Sequence, residues 1–322
     1  PNIWWRRNAQ RLLVDRYGPA PSGDGARNRS GQVERTGSAD APAAAVRQQL
    51  ARTADGHADP TARLHALWTL EGIGGLTEKT VLAALRDPHP GVRENALRLA
   101  ERFLPESGAL ADRVIAMAQA TIQPAPRASA GAAAGGRAGS LTSPVGEEGR
   151  LRFQLLLTLG ELTSSEATRL RREMLFLHSE EVWMQRAALS AREADPPALL
   201  DESIARFGDA PSEGGQLLRE LGRQTGSTGP ERAVRSVLTR ALEADPAPWA
   251  ESVAGGIAEG LDRRGDRGSR SGRSGGSASL PEPIVWGPNE RSLLARTVFR
   301  RDRPELREVG LDLLARTGLP DE

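Results

Sequence analysis

A chain of 322 residues with 38% hydrophobic and 4% aromatic content must build its core from Ala, Leu and Val, which suits close helix–helix contact and gives a β-sandwich little to use. Net charge is +1, so no overall field draws the chain to nucleic acid or to a membrane, and the pI of about 9.0 reflects a few charges near balance. Cysteine is absent, which excludes a disulfide, a thiolate metal site or a covalently held c-type haem within the chain. Lys79 is the only lysine, and the Arg-for-Lys bias with abundant Ala and Gly reads as the product of a GC-rich genome. No apolar run approaches the roughly 20 residues of a membrane span, and no signal peptide is expected within the residues given. The first residue is Pro1, and the expectation is a piece of a longer protein.

In chain order, the first predicted helix opens on Trp5-Arg6-x-x-Ala9. Residues 18–40 follow, polar, Gly/Ser-rich and without period, and are predicted to be a loop. Residues 61–73 place Ala62, Ala66, Leu67, Leu70 and Ile73 on one stripe of a helix that Gly74-Gly75 ends. Thr77 is positioned to cap the next helix, and Pro88 to end it. Residues 91–104 repeat the stripe with Val92, Ala96, Leu99, Ala100 and Phe103, stopped by Pro105. A second loop is predicted over 123–149 and a third over 263–283, between further helices that begin near Leu151, Met184 and Leu306.

These helices share a pattern. An apolar residue precedes Arg, a small residue (Leu in one copy) follows three positions after the Arg, and an apolar ladder continues: Trp5-Arg6-x-x-Ala9, Ala62-Arg63-x-x-Ala66, Val92-Arg93-x-x-Ala96, Leu151-Arg152-x-x-Leu155 and Leu306-Arg307-x-x-Gly310, with a degenerate copy at Met184-Gln185-x-x-Ala188. Similar helices spaced by about thirty residues imply stacked helix pairs. The prediction is an all-α fold: one α-solenoid over 1–322, about fifteen helices in an antiparallel right-handed stack, with 18–40, 123–149 and 263–283 as disordered insertions. The motif Arg is expected at the edge of the buried stripe, its stem over a neighbouring helix and its guanidinium in water or on a loop carboxylate, with Asp87 and Glu94 as candidates.

Asp87-Pro88 before Val92-Arg93-Glu94-Asn95-Ala96 resembles a HEAT repeat. More narrowly, residues 1–13, Ala62 to Gly72, Asp87 to Glu101 and Arg152-Phe153-Gln154-Leu155 resemble the HEAT region of large bacterial, planctomycete-type membrane-bound dehydrogenase-like proteins. The likeness covers 1–193 well and the rest loosely. In that family a β-propeller precedes the HEAT region and a haem-c domain with a CxxCH motif follows. The resemblance implies a non-catalytic scaffold that spaces those two domains, in the periplasm or cell envelope, with protein as its partner. The alternative is a free-standing adaptor for a protein or peptide.

No catalytic, cofactor-binding or metal-binding residue is predicted, and no cofactor. His57, His65, His89 and His178 have no i, i+3 or i+4 pairing. Asp55-Gly56-His57-Ala58-Asp59 could wrap a divalent ion but reads as a polar turn, and His65 as an interface or surface residue. The glycine-rich runs lack the Lys-Ser/Thr of a phosphate loop. Arg264-Gly265-Asp266 is expected by chance in its composition. The arginines of 263–273 have no interleaved aromatics, so nucleic acid is not the expected partner. Glu147-Glu148 reads as loop charge. Trp5 and Trp68 are expected to fill gaps between helices, and Trp249 and Trp286 to pack under turns in preference to anchoring a partner.

Overall fold

The computed structural model describes residues 3–19, 40–122, 146–191, 194–209, 211–244, 247–271, 286–299 and 303–317. Among these residues all regular structure is helical: fifteen helices and no strand. They fall into two compact units, Pro1–Leu170 and Arg171–Glu322, with the boundary inside one helix.

The first unit holds α1 (Ile3–Tyr17), α2 (Asp40–Gly56), α3 (Pro60–Gly72), α4 (Glu78–Ala84), α5 (Pro90–Ala100), α6 (Gly108–Ile122) and α7 (Gly146–Leu159), and the start of α8 (Ser165–Leu177). The helices are cut where the local chemistry dictates. Asp59 caps α3 by accepting from the Thr61 amide, with Pro60 in the first turn, where its missing N–H costs nothing. Gly74, at φ +65°, ends α3: its amide donates to the Glu71 carbonyl and that of Gly75 to the Leu70 carbonyl, closing a Schellman motif. Thr77 caps α4 through the Thr80 amide, as its position predicts. His89 caps α5 by accepting from Gly91, a role its residue type does not advertise. The packing is regular. α2, α4 and α6 pack in sequence, as do α1, α3, α5 and α7, and each of α2, α4 and α6 lies against the next helix in the chain. Of the predicted stripes Ala66, Leu67, Leu70, Ile73, Val92, Ala96, Leu99 and Ala100 are buried while Ala62 and Phe103 are half-buried, and Leu97, outside the predicted stripe, is buried with them.

The second unit holds the rest of α8, then α9 (Val182–Leu189), α10 (Pro196–Phe207), α11 (Pro211–Thr228), α12 (Glu231–Glu243), α13 (Pro248–Ser271), α14 (Pro288–Val298) and α15 (Pro304–Thr317). Its centre is the α11–α13 pair. Gly222 and Gly226 of α11 and Gly256 and Gly260 of α13 bring the two backbones together. A Cβ on Gly222 would lie 2.6 Å from the Val253 carbonyl oxygen, and one on Gly226 would lie 2.5 Å from that of Ile257. Glycines four apart on both helices remove the side chains that would hold the axes apart. Trp286 is buried beneath the start of α14, the packing role predicted for it, while Trp249 stays half-buried with Arg240 over its ring at 5.7 Å. The side chain of Trp5 lies outside the described residues.

One expected loop is corrected. Residues 263–271 are the last turns of α13 and not the start of an irregular stretch. Composition reads them as too poor in apolar surface to order, but a helix already fixed by packing over 250–260 extends one residue at a time at little cost. Arg264 ties this extension down by donating to the carbonyls of Gly226 and Gly229, at 3.3 and 3.1 Å. Likewise 146–149 belong to α7. Most of 18–40 and 123–149, and all of 272–283, lie outside the described residues.

Candidate functional site

The motif arginines build a ladder through the first unit. Arg6 of α1 meets Asp59, the cap of α3, at 3.0 Å. Arg63 of α3 reaches Asp87 in the turn before α5 with both arms of its fork, Nε–Oδ2 at 2.6 Å and Nη2–Oδ1 at 2.7 Å, and both residues are buried. Arg93 of α5 reaches Glu148 in the first turn of α7 at 3.2 Å. Arg6, Arg63 and Arg93 therefore each grip the entry to the next motif helix, whereas Arg152 has no such contact among the described residues. Arg63 and Arg93 also grip their own entries. Arg63 donates to the carbonyls of His57 and Ala58, and Arg93 to those of Asp87 and Pro88, which occupy the same two positions relative to each arginine. In the second unit the degenerate Gln185 donates to the Ser179 carbonyl at 2.7 Å, six residues back, as Arg63 and Arg93 do. An amide with one available N–H pair can replace the guanidinium where only a carbonyl must be satisfied.

Charge and burial are balanced at Asp87. Burial pushes its carboxyl pKa up, but hydrogen bonds from Arg63 and from the His89 amide outweigh that and hold it below its ordinary value. The same hydrogen bond raises the Arg63 pKa. Asp87 thus serves Arg63 of the preceding motif helix; the other candidate, Glu94, pairs with Arg98 at 2.8 Å and Arg150 at 3.4 Å. Between α5 and α7 a further polar layer links Arg98 to Gln154 and links Gln154 and Thr158 to Glu101. Burial raises the Glu101 pKa against the donors it collects.

Of the predicted polar turn at 55–59, Asp55 and Gly56 end α2 and residues 57–59 make the turn: the carbonyls of His57 and Ala58 serve Arg63, and the Asp59 carboxylate serves Arg6 and the α3 cap. Among the described residues no group of three or more His, Asp or Glu side chains is placed to hold a metal ion. His65 sits part-buried against Gln10 at 3.3 Å; burial, then Arg6 and Arg7, lower its pKa. Trp68 fills part of the α3–α5 contact and donates its indole N–H to Asn95 at 3.0 Å.

One cleft in the first unit gathers arginines that are not fully paired among the described residues. A cleft of about 440 Å³ opens between α6 and α7, with Arg93, Arg113 and Arg152 around it and Ala116, Met117, Leu151 and Leu155 on its walls. Arg113 donates one Nη to the Leu85 carbonyl at 2.9 Å, but its Nε is buried and meets no acceptor. Arg152 makes no hydrogen bond or ion pair with any described residue. Burial, then Arg86 and Arg93 nearby, lower the Arg113 pKa, the mark of positive charge left uncompensated. Among the described residues the one carboxylate lining the cleft is Glu148, two-thirds exposed. Glu147 and Glu148 therefore begin a helix, where acids favour the dipole, and are not loop charge. Sequence reasoning marked Arg93 and Arg152 as packing residues and passed over Arg113. The available signal was its place on the α6 face one turn before the buried Met117.

Neither a protein-family model, a curated protein nor a solved structure matches this chain.

Proposed function

We propose that this chain is a non-catalytic helical scaffold, an α-solenoid of HEAT-like pairs that holds other protein parts at a set distance. One observation carries the reading: in the first unit the same side-chain device recurs at Arg6, Arg63 and Arg93, each tying one motif helix to the entry of the next. A ladder of this kind fixes the pitch between neighbours and makes the stack stiff along its length. Stiffness serves spacing. On the resemblance of 1–193 to the dehydrogenase-like family, the parts spaced are a propeller dehydrogenase and a cytochrome c domain, in the periplasm or cell envelope.

In the intact protein, loosening the stack with Val92→Asp is expected to slow electron transfer between the flanking domains while each keeps its own chemistry, because transfer depends on separation. The purified chain is expected to reduce no artificial electron acceptor with any sugar or alcohol. Unchanged transfer across an unfolded stack would remove the spacing role. Turnover by this chain, lost on mutating one of its own residues, would remove the scaffold reading altogether.

A second reading, a free-standing adaptor that binds a protein or peptide, is favoured by the α6–α7 cleft, where arginine donors stand beside an apolar wall.

A further inference from the structure

We infer that the α6–α7 cleft is a docking site for an acidic peptide segment of a partner protein, one that places a carboxylate between Arg113 and Arg152 and an aliphatic side chain on Met117 and Leu155. The inference rests on the protein-binding reading and names the chemistry of the partner. Three features of the cleft select that ligand. It has spare positive charge: Arg152 has no partner among the described residues, and Arg113, on the cleft lining, spends one Nη on the Leu85 carbonyl and meets no carboxylate among them. A guanidinium partly withdrawn from water and lacking a counter-ion gains more from an incoming carboxylate than a fully exposed arginine does. Ala116, Met117, Leu151 and Leu155 make part of the wall apolar, which suits an aliphatic side chain. Finally, the cleft already receives a carboxylate, that of Glu148 on Arg93.

Charge argues for an occupant from outside. Three arginines face one acid, and the chain between α6 and α7, residues 123–145, adds Arg127 and Arg137 and no Asp or Glu. The segment nearest in sequence therefore cannot neutralise the site. A phosphate dianion would meet the same donors, but with Glu148 beside it and apolar walls around it. A carboxylate carries half the charge to repel and comes attached to apolar atoms. Planar guanidinium forks match a carboxylate in two hydrogen bonds, which fixes direction as well as attraction.

The test uses the full chain and a fluorescein-labelled octapeptide of alternating Glu and Leu, read by fluorescence anisotropy. Its Gln-for-Glu counterpart and a labelled single-stranded dodecanucleotide are the controls. Binding of the acidic peptide is expected, with the Gln peptide at least about tenfold weaker, the loss typical of a charge-assisted contact made neutral. Arg152→Gln is expected to weaken the acidic peptide by about tenfold, and Arg113→Gln by more. Glu148→Gln is expected to tighten it a few-fold by removing a competing carboxylate, a gain that no loss of folding would mimic. Arg232→Gln, exposed on α12 in the other unit, should change nothing. Equal binding of the two peptides, or no response to Arg152→Gln and Glu148→Gln, would overturn the proposal. So would tight binding of the oligonucleotide alone, which would make this a polyanion surface. Each of these failures leaves the inter-domain transfer experiment, and the scaffold reading it tests, untouched.

Discussion

At the residue scale, the weight falls on Arg63 and Asp87. A buried ion pair contributes little net stability against an apolar replacement, because both charges lose water, but removing one partner strands the other. Asp87→Ala is therefore expected to destabilise by about 3 kcal/mol or more, and Arg63→Lys to lose most of the benefit because an ammonium cannot fork across both oxygens. Chemical denaturation of the two variants checks this, and near-wild-type stability of Asp87→Ala would show that the pair is solvated. Because the Asp87 pKa is depressed in the fold, its contribution is complete at neutral pH and is lost as pH falls through and below the unfolded value of 3.8. Glu101 has the opposite sign. Its pKa is raised by burial, so the fold favours its protonated form, and its presence weakens the fold as pH rises through 4.5 toward the folded value. Glu101→Gln keeps an acceptor for Thr158 and removes the charge. It is expected to raise the melting temperature at pH 7, by less than about 1 kcal/mol in stability since the group is half in water, and to flatten the pH dependence between pH 4.5 and 7. A lower melting temperature at pH 7 would mean that the Arg98 side of that network outweighs desolvation.

At the element scale, the two units hold their helices together by different means. In the first, apolar stripes make the contact and a ladder of arginines sets the register. Val92 is 1% exposed, and Val92→Asp places a charge with no partner in that stripe, at a cost of about 3 kcal/mol or more. In the second, α11 and α13 meet backbone to backbone. Gly→Ala inside an exposed helix normally stabilises by up to about 1 kcal/mol. At Gly226 the sign is expected to reverse, since the new Cβ would strike the Ile257 carbonyl and force the helices apart, an overpacking cost of about 1–3 kcal/mol. Thermal melts of Gly226→Ala beside Gly56→Ala, whose Cβ would meet nothing within 4 Å, make the comparison internal. Equal shifts for the two would remove the close-packing account.

At the scale of the whole molecule, net charge near zero hides a strongly uneven local distribution. The 43 Lys and Arg stand against 42 Asp and Glu, and among the described residues most arginines meet a carboxylate or a backbone carbonyl, so little field extends far into solvent. The far-ultraviolet circular dichroism spectrum is expected to show helix alone, and a β-dominated spectrum would contradict both the periodicity and the fifteen helices among the described residues.

The sequence alone determined the helices of the first unit, their stripes and most of their ends. Periodicity, capping and the positive-φ requirement of Gly74 are local properties, expressed within a few residues. It also pointed to a repeated Arg beside the stripes, and Arg6, Arg63 and Arg93 hold that place. Tertiary structure alone decided which acid each Arg would meet. Asp87 stands 24 positions from Arg63 and six from Arg93, and only the stacking of α3 on α5 assigns its carboxylate to the former and its backbone carbonyl to the latter. The glycines of α11 and α13 were readable as low-propensity residues, but their value lies in a neighbour more than thirty positions away. The same holds for the α6–α7 cleft. Arg93, Arg113 and Arg152 are unremarkable one by one, and become a site because packing brings them to one opening and withholds an acceptor from the buried Nε of Arg113. Local rules fix where a chain turns and which face is apolar, whereas the pairing of charges depends on distances that do not exist until the helices have packed.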